Sequence, residues 1–231
     1  MTDCRTRYPL LLIHGLNCRD DWGSVPGNAR ALLRRAEDVL AETGAEKLNF
    51  IAHSKGGLEA RYLISSLGFA EKTASLTTIC MPHRGSKAAA EWLARERVCR
   101  LLGPALEGFW RARGDREPDF QAAVSALTPE AMARFNQENP DSPLVYYQSW
   151  AARLDRPVWD PMDRVQLWIT RADGPTDGLV SPDSAVWGNY RGALECVSHQ
   201  DAVGGRRRKR PGFDAKEFYI RLVQELAEFG F

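Results

Sequence analysis

Short, almost continuous apolar runs alternate along this chain with longer stretches in which apolar residues recur at helical spacing. Pro9 to Ile13 (PLLLI) is apolar on both faces and stops at His14-Gly15, the pattern of a buried parallel strand. Ala29 to Thr43 places Leu32, Leu33, Ala36, Val39 and Leu40 on one helical face, with Gly44 as its C-cap. Lys47 to Ala52 predicts a second strand, followed by a turn and a helix from Lys55 to Leu67; Ala74 to Met81 predicts a third strand. Leu144 to Ser149 and Val165 to Thr170 read as two more strands, and Ala215 to Phe229 as a closing amphipathic helix. Strands alternating with helices predict an α/β fold, with a mostly parallel central sheet covered by helices on both faces. No repeat or linker interrupts it, so residues 1–231 are expected to form a single domain.

Residues 87–139 break the alternation. They read as helical, with interruptions at Gly103-Pro104 and around Gly114 to Pro118. Trp92, Leu93, Leu101, Leu102, Leu106, Phe109, Trp110 and Phe120 supply large apolar side chains. Two readings stay open here: core helix packing, or a helical cap-like insertion whose apolar groups line a substrate channel.

Charge narrows the function classes. Lys plus Arg total 31 against 30 for Asp plus Glu, so no global field favours nucleic acid. The basic run Arg206 to Arg210, between Gly204-Gly205 and Pro211-Gly212, reads as a solvated loop. The five cysteines form no CxxC pair and no metal-ligand spacing, and an odd count fits reduced thiols. The polar start Met1 to Arg5 lacks a signal-peptide pattern, and no apolar stretch approaches the ~18 residues of a membrane span. The expected location is the cytoplasm.

The candidate chemistry centres on Ala52-His53-Ser54-Lys55-Gly56-Gly57. A serine flanked by small residues, between a strand and a helix, is the context of a nucleophile elbow. The reversal lifts the hydroxyl to the carboxyl end of the sheet and points the Lys55 N–H toward a developing oxyanion. A serine hydroxyl needs a base, and the choices are His14, His53, His83 and His199. His53 adjoins the serine and is directed away, His14 ends a strand, and His83 lies in a rigid Pro-containing turn. His199, in Val197-Ser198-His199-Gln200-Asp201, suits a loop that approaches the serine. For the orienting acid, Asp177 and Asp173 both lie in the turn region before His199, and spacing leaves both in place.

These stretches together resemble the bacterial triacylglycerol lipase and esterase family of α/β-hydrolases. The matching segments are Tyr8 to Leu16, Ala52 to Gly57, Pro82 to Ser86, Val145 to Trp150, Asp177 to Val180 and His199 to Asp201. The resemblance implies ester hydrolysis through an acyl-enzyme on Ser54, with Asp177 as the acid, in preference to Asp173, and His199 as the base. It implies the backbone N–H groups of Leu16 and Lys55 as oxyanion donors, and no cofactor for the chemistry. Some members hold a structural Ca²⁺, and Asp160 and Asp201 match the two aspartates that do so. The implied partner is a small-molecule or lipid ester, with transient contact at a lipid interface and none with nucleic acid.

Three departures qualify the match. Only 54 − 14 = 40 positions separate His14 from Ser54, so one βα unit is expected to be missing near Asp20 to Gly23, beside the centre of the sheet. Met81 stands where many relatives carry threonine, and the cap region is compact. The same residues also fit an acyltransferase, or a relative whose oxyanion hole no longer works.

Overall fold

A computed structural model describes residues 5–15, 24–95, 104, 107–108, 111, 120–154, 163–164, 167–168, 170–204 and 212–231. Its frame is a five-stranded parallel sheet in which spatial order follows chain order. The strands are β1 (Leu10–Ile13), β2 (Leu48–His53), β3 (Thr73–Ile79), β4 (Tyr146–Arg153) and β5 (Asn189–Glu195). The helices are α1 (Val25–Thr43), α2 (Lys55–Ser65), α3 (Lys87–Ala94), α4 (Phe120–Ser125), α5 (Pro129–Glu138), α6 (Pro182–Ala185) and α7 (Ala215–Glu228).

Side-chain alternation along β2 divides the core into two layers. Leu48, Phe50 and Ala52 pack with Ala36 and Val39 of α1 and with Ala60, Leu63 and Ile64 of α2. Ile51 faces the other way and joins Ile79, Phe218, Leu222 and Leu226, the last three from α7. Every β2 residue is buried, and the polar Asn49 and His53 on the Ile51 face donate to the Tyr8 and His199 carbonyls. α1 begins earlier than its apolar stripe, because the Ser24 side chain accepts from the Gly27 N–H and Pro26 occupies the first turn. It ends at Gly44, whose φ of 67° lets its N–H return to the Leu40 carbonyl.

Two expectations are corrected. The described residues of Val165 to Thr170 form no strand: Leu167 and Trp168 are helical and Thr170 lies in a turn. The fifth strand is instead Asn189–Glu195, a sheet edge with no fully buried residue, so it carries no apolar run to find. The second correction concerns the short connection before Ser54. β1 pairs directly with β2, from Leu10 opposite Asn49 to Ile13 opposite Ala52, so there is no gap beside the sheet centre. β1 is instead the other edge, with Leu12 64% exposed. The junction itself, Asp20 to Gly23, lies outside the described residues, as does the run Arg206 to Arg210.

Between β3 and β4 the chain forms α3, α4 and α5. Among the described residues, no helix is long and apolar enough to cross a membrane. Cys80 and Cys196 are free thiols.

The two layers predict a sharp contrast in stability. Phe50→Ala removes a side chain with no exposure and is expected to cost about 3–5 kcal/mol. Leu12→Thr, on the open edge, should stay within about 0.5 kcal/mol. Urea denaturation of both variants checks this.

Candidate active site

Ser54 sits between β2 and α2 in a conformation that side chains rarely adopt, φ 53° and ψ −131°. Its N–H donates to the Ile79 carbonyl on β3 (2.9 Å), and its carbonyl accepts from the Gly57 N–H (3.0 Å). The reversal brings α2 against the end of β1. A Cβ at Gly56 would lie 2.3 Å from the His14 carbonyl oxygen, and one at Gly15 would lie 2.6 Å from Ser54 Cβ. Both glycines therefore permit a backbone contact that no side chain could share.

Two loops at the same sheet end bring together Asp177 and His199. The His199 Nδ1–H donates to Asp177 Oδ2 at 2.8 Å, and both side chains are buried. The backbone N–H groups of Leu179 (2.9 Å) and Val180 (2.8 Å) donate to Asp177 Oδ1. The His199 N–H also donates to the Asp177 carbonyl (2.9 Å), so the loops are joined through main chain and side chains. With Nδ1 holding the proton, the neutral ring carries its lone pair on Nε2, the form needed in a general base. Among the described residues Ser54 Oγ makes no hydrogen bond; such contacts commonly tighten only when substrate is bound.

His53 has a use that sequence reasoning missed. Its Nε2–H donates to the His199 carbonyl (3.1 Å), and the two rings lie 4.5 Å apart. Burial first, then the neighbouring His199, push His53 well below its ordinary value, so it is a neutral brace. The signal in the sequence was only its adjacency to Ser54. Lys55 was singled out for its N–H, yet its side chain is buried and pairs with Glu59 at 2.5 Å, while Asn28 of α1 donates to the same oxygen at 2.8 Å. α1 is thereby fastened to the first turns of α2.

The remaining candidates separate clearly. Asp173 accepts from Ser86 Oγ and from the N–H groups of Lys87 and Ala88, so its carboxylate caps the start of α3. Asp201 Oδ2 accepts from the Ser198 N–H (3.1 Å) and Ser198 Oγ (2.6 Å), closing a small ring around the His199 loop. A carboxylate there suits a hard cation, but its expected partner Asp160 lies outside the described residues, as does Leu16. His83 is structural. Its Nε2–H donates to Thr78 Oγ1 (2.8 Å), its ring stacks on Trp187 at 5.0 Å, and burial ahead of the nearby Arg61 cation pushes its pKa well down.

No family model matches the chain. It is 30% identical to triacylglycerol lipase 2 of Saccharomyces cerevisiae over 237 residues, covering 91% of this chain and 67% of that protein. It is 27% identical to the triacylglycerol lipase of Pseudomonas fragi, covering 97% of this chain and 98% of that one. Among solved structures, the mature Bacillus licheniformis lipase BlEst2 superposes with a TM-score of 0.65 at 16% identity, over 94% of this chain and 91% of that one. That last likeness speaks to the fold.

Two outcomes are expected. Gly56→Ala should lose more than about 2 kcal/mol and at least about tenfold in kcat/KM, because the clash is with backbone. Gly57→Ala meets chiefly the movable end of Met81 and should be milder; equal tolerance of both would remove the constraint. The second outcome concerns pH. His53 and His83 stay neutral when folded but protonate when unfolded below 6.5. The unfolded state then binds more protons, so stability falls as pH drops through that value, by about 1.4 kcal/mol per pH unit for each proton. His83→Gln, which retains a donor for Thr78, should flatten the slope by one proton in urea titrations at stepped pH.

Proposed function

Because the chain belongs to the triacylglycerol lipase and esterase family of α/β-hydrolases and is a carboxylic ester hydrolase, we propose that it cleaves esters by acyl transfer through Ser54, with His199 as base and Asp177 as its orienting acid. The observation that carries this reading is the Asp177–His199 pair, which leaves a lone pair on Nε2 in a ring 4.5 Å from that of His53, the residue before the strained Ser54. As Ser54 Oγ attacks the ester carbonyl, His199 Nε2 takes the hydroxyl proton. The Lys55 N–H, at the start of α2, and the Leu16 N–H hold the tetrahedral oxyanion. Collapse breaks the bond to the leaving alkoxide, which takes the proton from His199. Water, deprotonated by the same imidazole, then attacks the acyl-enzyme, releases the acid and restores Ser54.

Residues 87–139 are read here as a cap-like insertion within the single domain, lining an acyl pocket for a small-molecule or lipid ester. Asp160 and Asp201 are the residues that would hold a structural Ca²⁺, which would steady the His199 loop and supply nothing to the chemistry.

Hydrolysis of p-nitrophenyl esters from short to long acyl chains is the test. Ser54→Ala should reduce kcat by at least about 10³-fold, and Asp177→Asn by about 10⁴-fold, without unfolding. Ser54→Ala turnover near wild type overturns the assignment. A folded wild type that hydrolyses no chain length and takes no fluorophosphonate label favours a scaffold whose oxyanion hole fails.

A further inference from the structure

The first turn of α2 carries the Lys55 N–H assigned above to the oxyanion, and it lacks the usual cap. Ser54 stands at the N-cap position, but its side chain makes no capping bond. A brace from outside the helix takes the place of one. Lys55 runs its buried side chain one turn along α2 to Glu59 Oε1 (2.5 Å), and Asn28 Nδ2 on α1 donates to the same oxygen (2.8 Å). Leu58, next to Glu59, and Val25, one turn before Asn28, share a buried apolar cluster. The starts of α1 and α2 therefore meet through packing and through polar contact.

Building on the Ser54 reading, we propose that Asn28 is a positioning residue for the oxyanion: through Glu59 it holds the Lys55 side chain, and with it the Lys55 N–H, where the tetrahedral intermediate needs a donor. An ion pair between residues four apart ties α2 only to itself. Asn28 refers that pair to a second helix, and because both donors share Glu59 Oε1, any shift of the carboxylate moves Lys55 as well. A donor aimed in advance needs no reorganisation as charge develops, and a misplacement of about 1 Å can cost on the order of 10²-fold in rate. The oxyanion exists only after Ser54 has attacked, so loosening the brace acts on the chemical step and leaves substrate binding alone. Lys55 keeps its Glu59 partner when Asn28 is replaced, so no buried charge is left uncompensated.

Asn28→Ala removes the donor at a helical position that alanine favours, and Asn28→Leu removes it while keeping the branched shape. In p-nitrophenyl ester hydrolysis both should lower kcat about 5–20-fold with KM within about twofold of wild type. The inhibition constant of an alkyl trifluoromethyl ketone, whose adduct on Ser54 carries the oxyanion, should rise by about the same factor as kcat falls. Asn28→Gln, which keeps the amide donor on a longer arm, should recover most of kcat. A contact that merely holds α1 on α2 would lower Tm in Asn28→Ala and Asn28→Leu while kcat and the ketone constant stay within about twofold of wild type, and that result overturns the inference. An Asn28→Gln variant as slow as Asn28→Ala overturns it too. Ser54→Ala turnover near wild type overturns the Ser54 reading, whereas an inactive Ser54→Ala beside an unchanged Asn28→Ala overturns this inference alone.

Discussion

The reversal at Ser54 is the constraint on which the carboxyl end of this sheet depends. A chain that leaves a buried parallel strand and enters a helix at once must turn through a left-handed residue, and the helix then has no room for a side chain where it meets the neighbouring strand. Gly56 and Gly15 meet that requirement on either side of the turn. The buried Lys55–Glu59 pair, with Asn28 reaching the same carboxylate, ties the turn to α1. Such a pair contributes little net stability, but removing either partner would leave an uncompensated buried charge.

The same device recurs along the sheet. Ser54, Cys80 and Cys196 have positive φ without being glycine, and they follow β2, β3 and β5 respectively. Each turns the chain abruptly at the end of the sheet where Asp177 and His199 meet. Strain of this kind costs about 1–3 kcal/mol per residue and is held in place by packing. Here the opposing weight comes from the two apolar layers either side of β2 and from the hydrogen bonds that close the Asp177 and His199 loops.

Away from that end, a second buried polar cluster steadies the segment between β3 and β4. The Arg61 guanidinium lies 4.1 Å over the Trp187 ring, and Trp187 stacks on His83. Arg61 also donates to Asn136 Oδ1 and to the Asn139 carbonyl, and Trp187 Nε1–H donates to Asp141. α2, the turn after β3, α5 and the approach to β5 are thereby joined through one cation. Replacing Arg61 by lysine would lose both the stacking plane and the forked donors.

Local chemistry determined much of this protein from its sequence. Period and capping residues located β1 to β4, α1, α2 and α7, because a strand buried on both faces and a helix with one apolar stripe each leave a distinctive spacing. Small residues around Ser54 marked the reversal, since the steric limit acts between near neighbours. Other features were decided only in three dimensions. β5 is an edge strand, so no second buried face shaped its composition, and the apolar Leu167 and Trp168 lie in a helix instead of the sheet. Spacing could not separate Asp177 from Asp173, two carboxylates four positions apart; the fold sends one to His199 and the other to the start of α3. The place of β1 at a sheet edge and the brace from His53 were equally hidden, because each depends on residues far apart in the chain that only sheet register brings together.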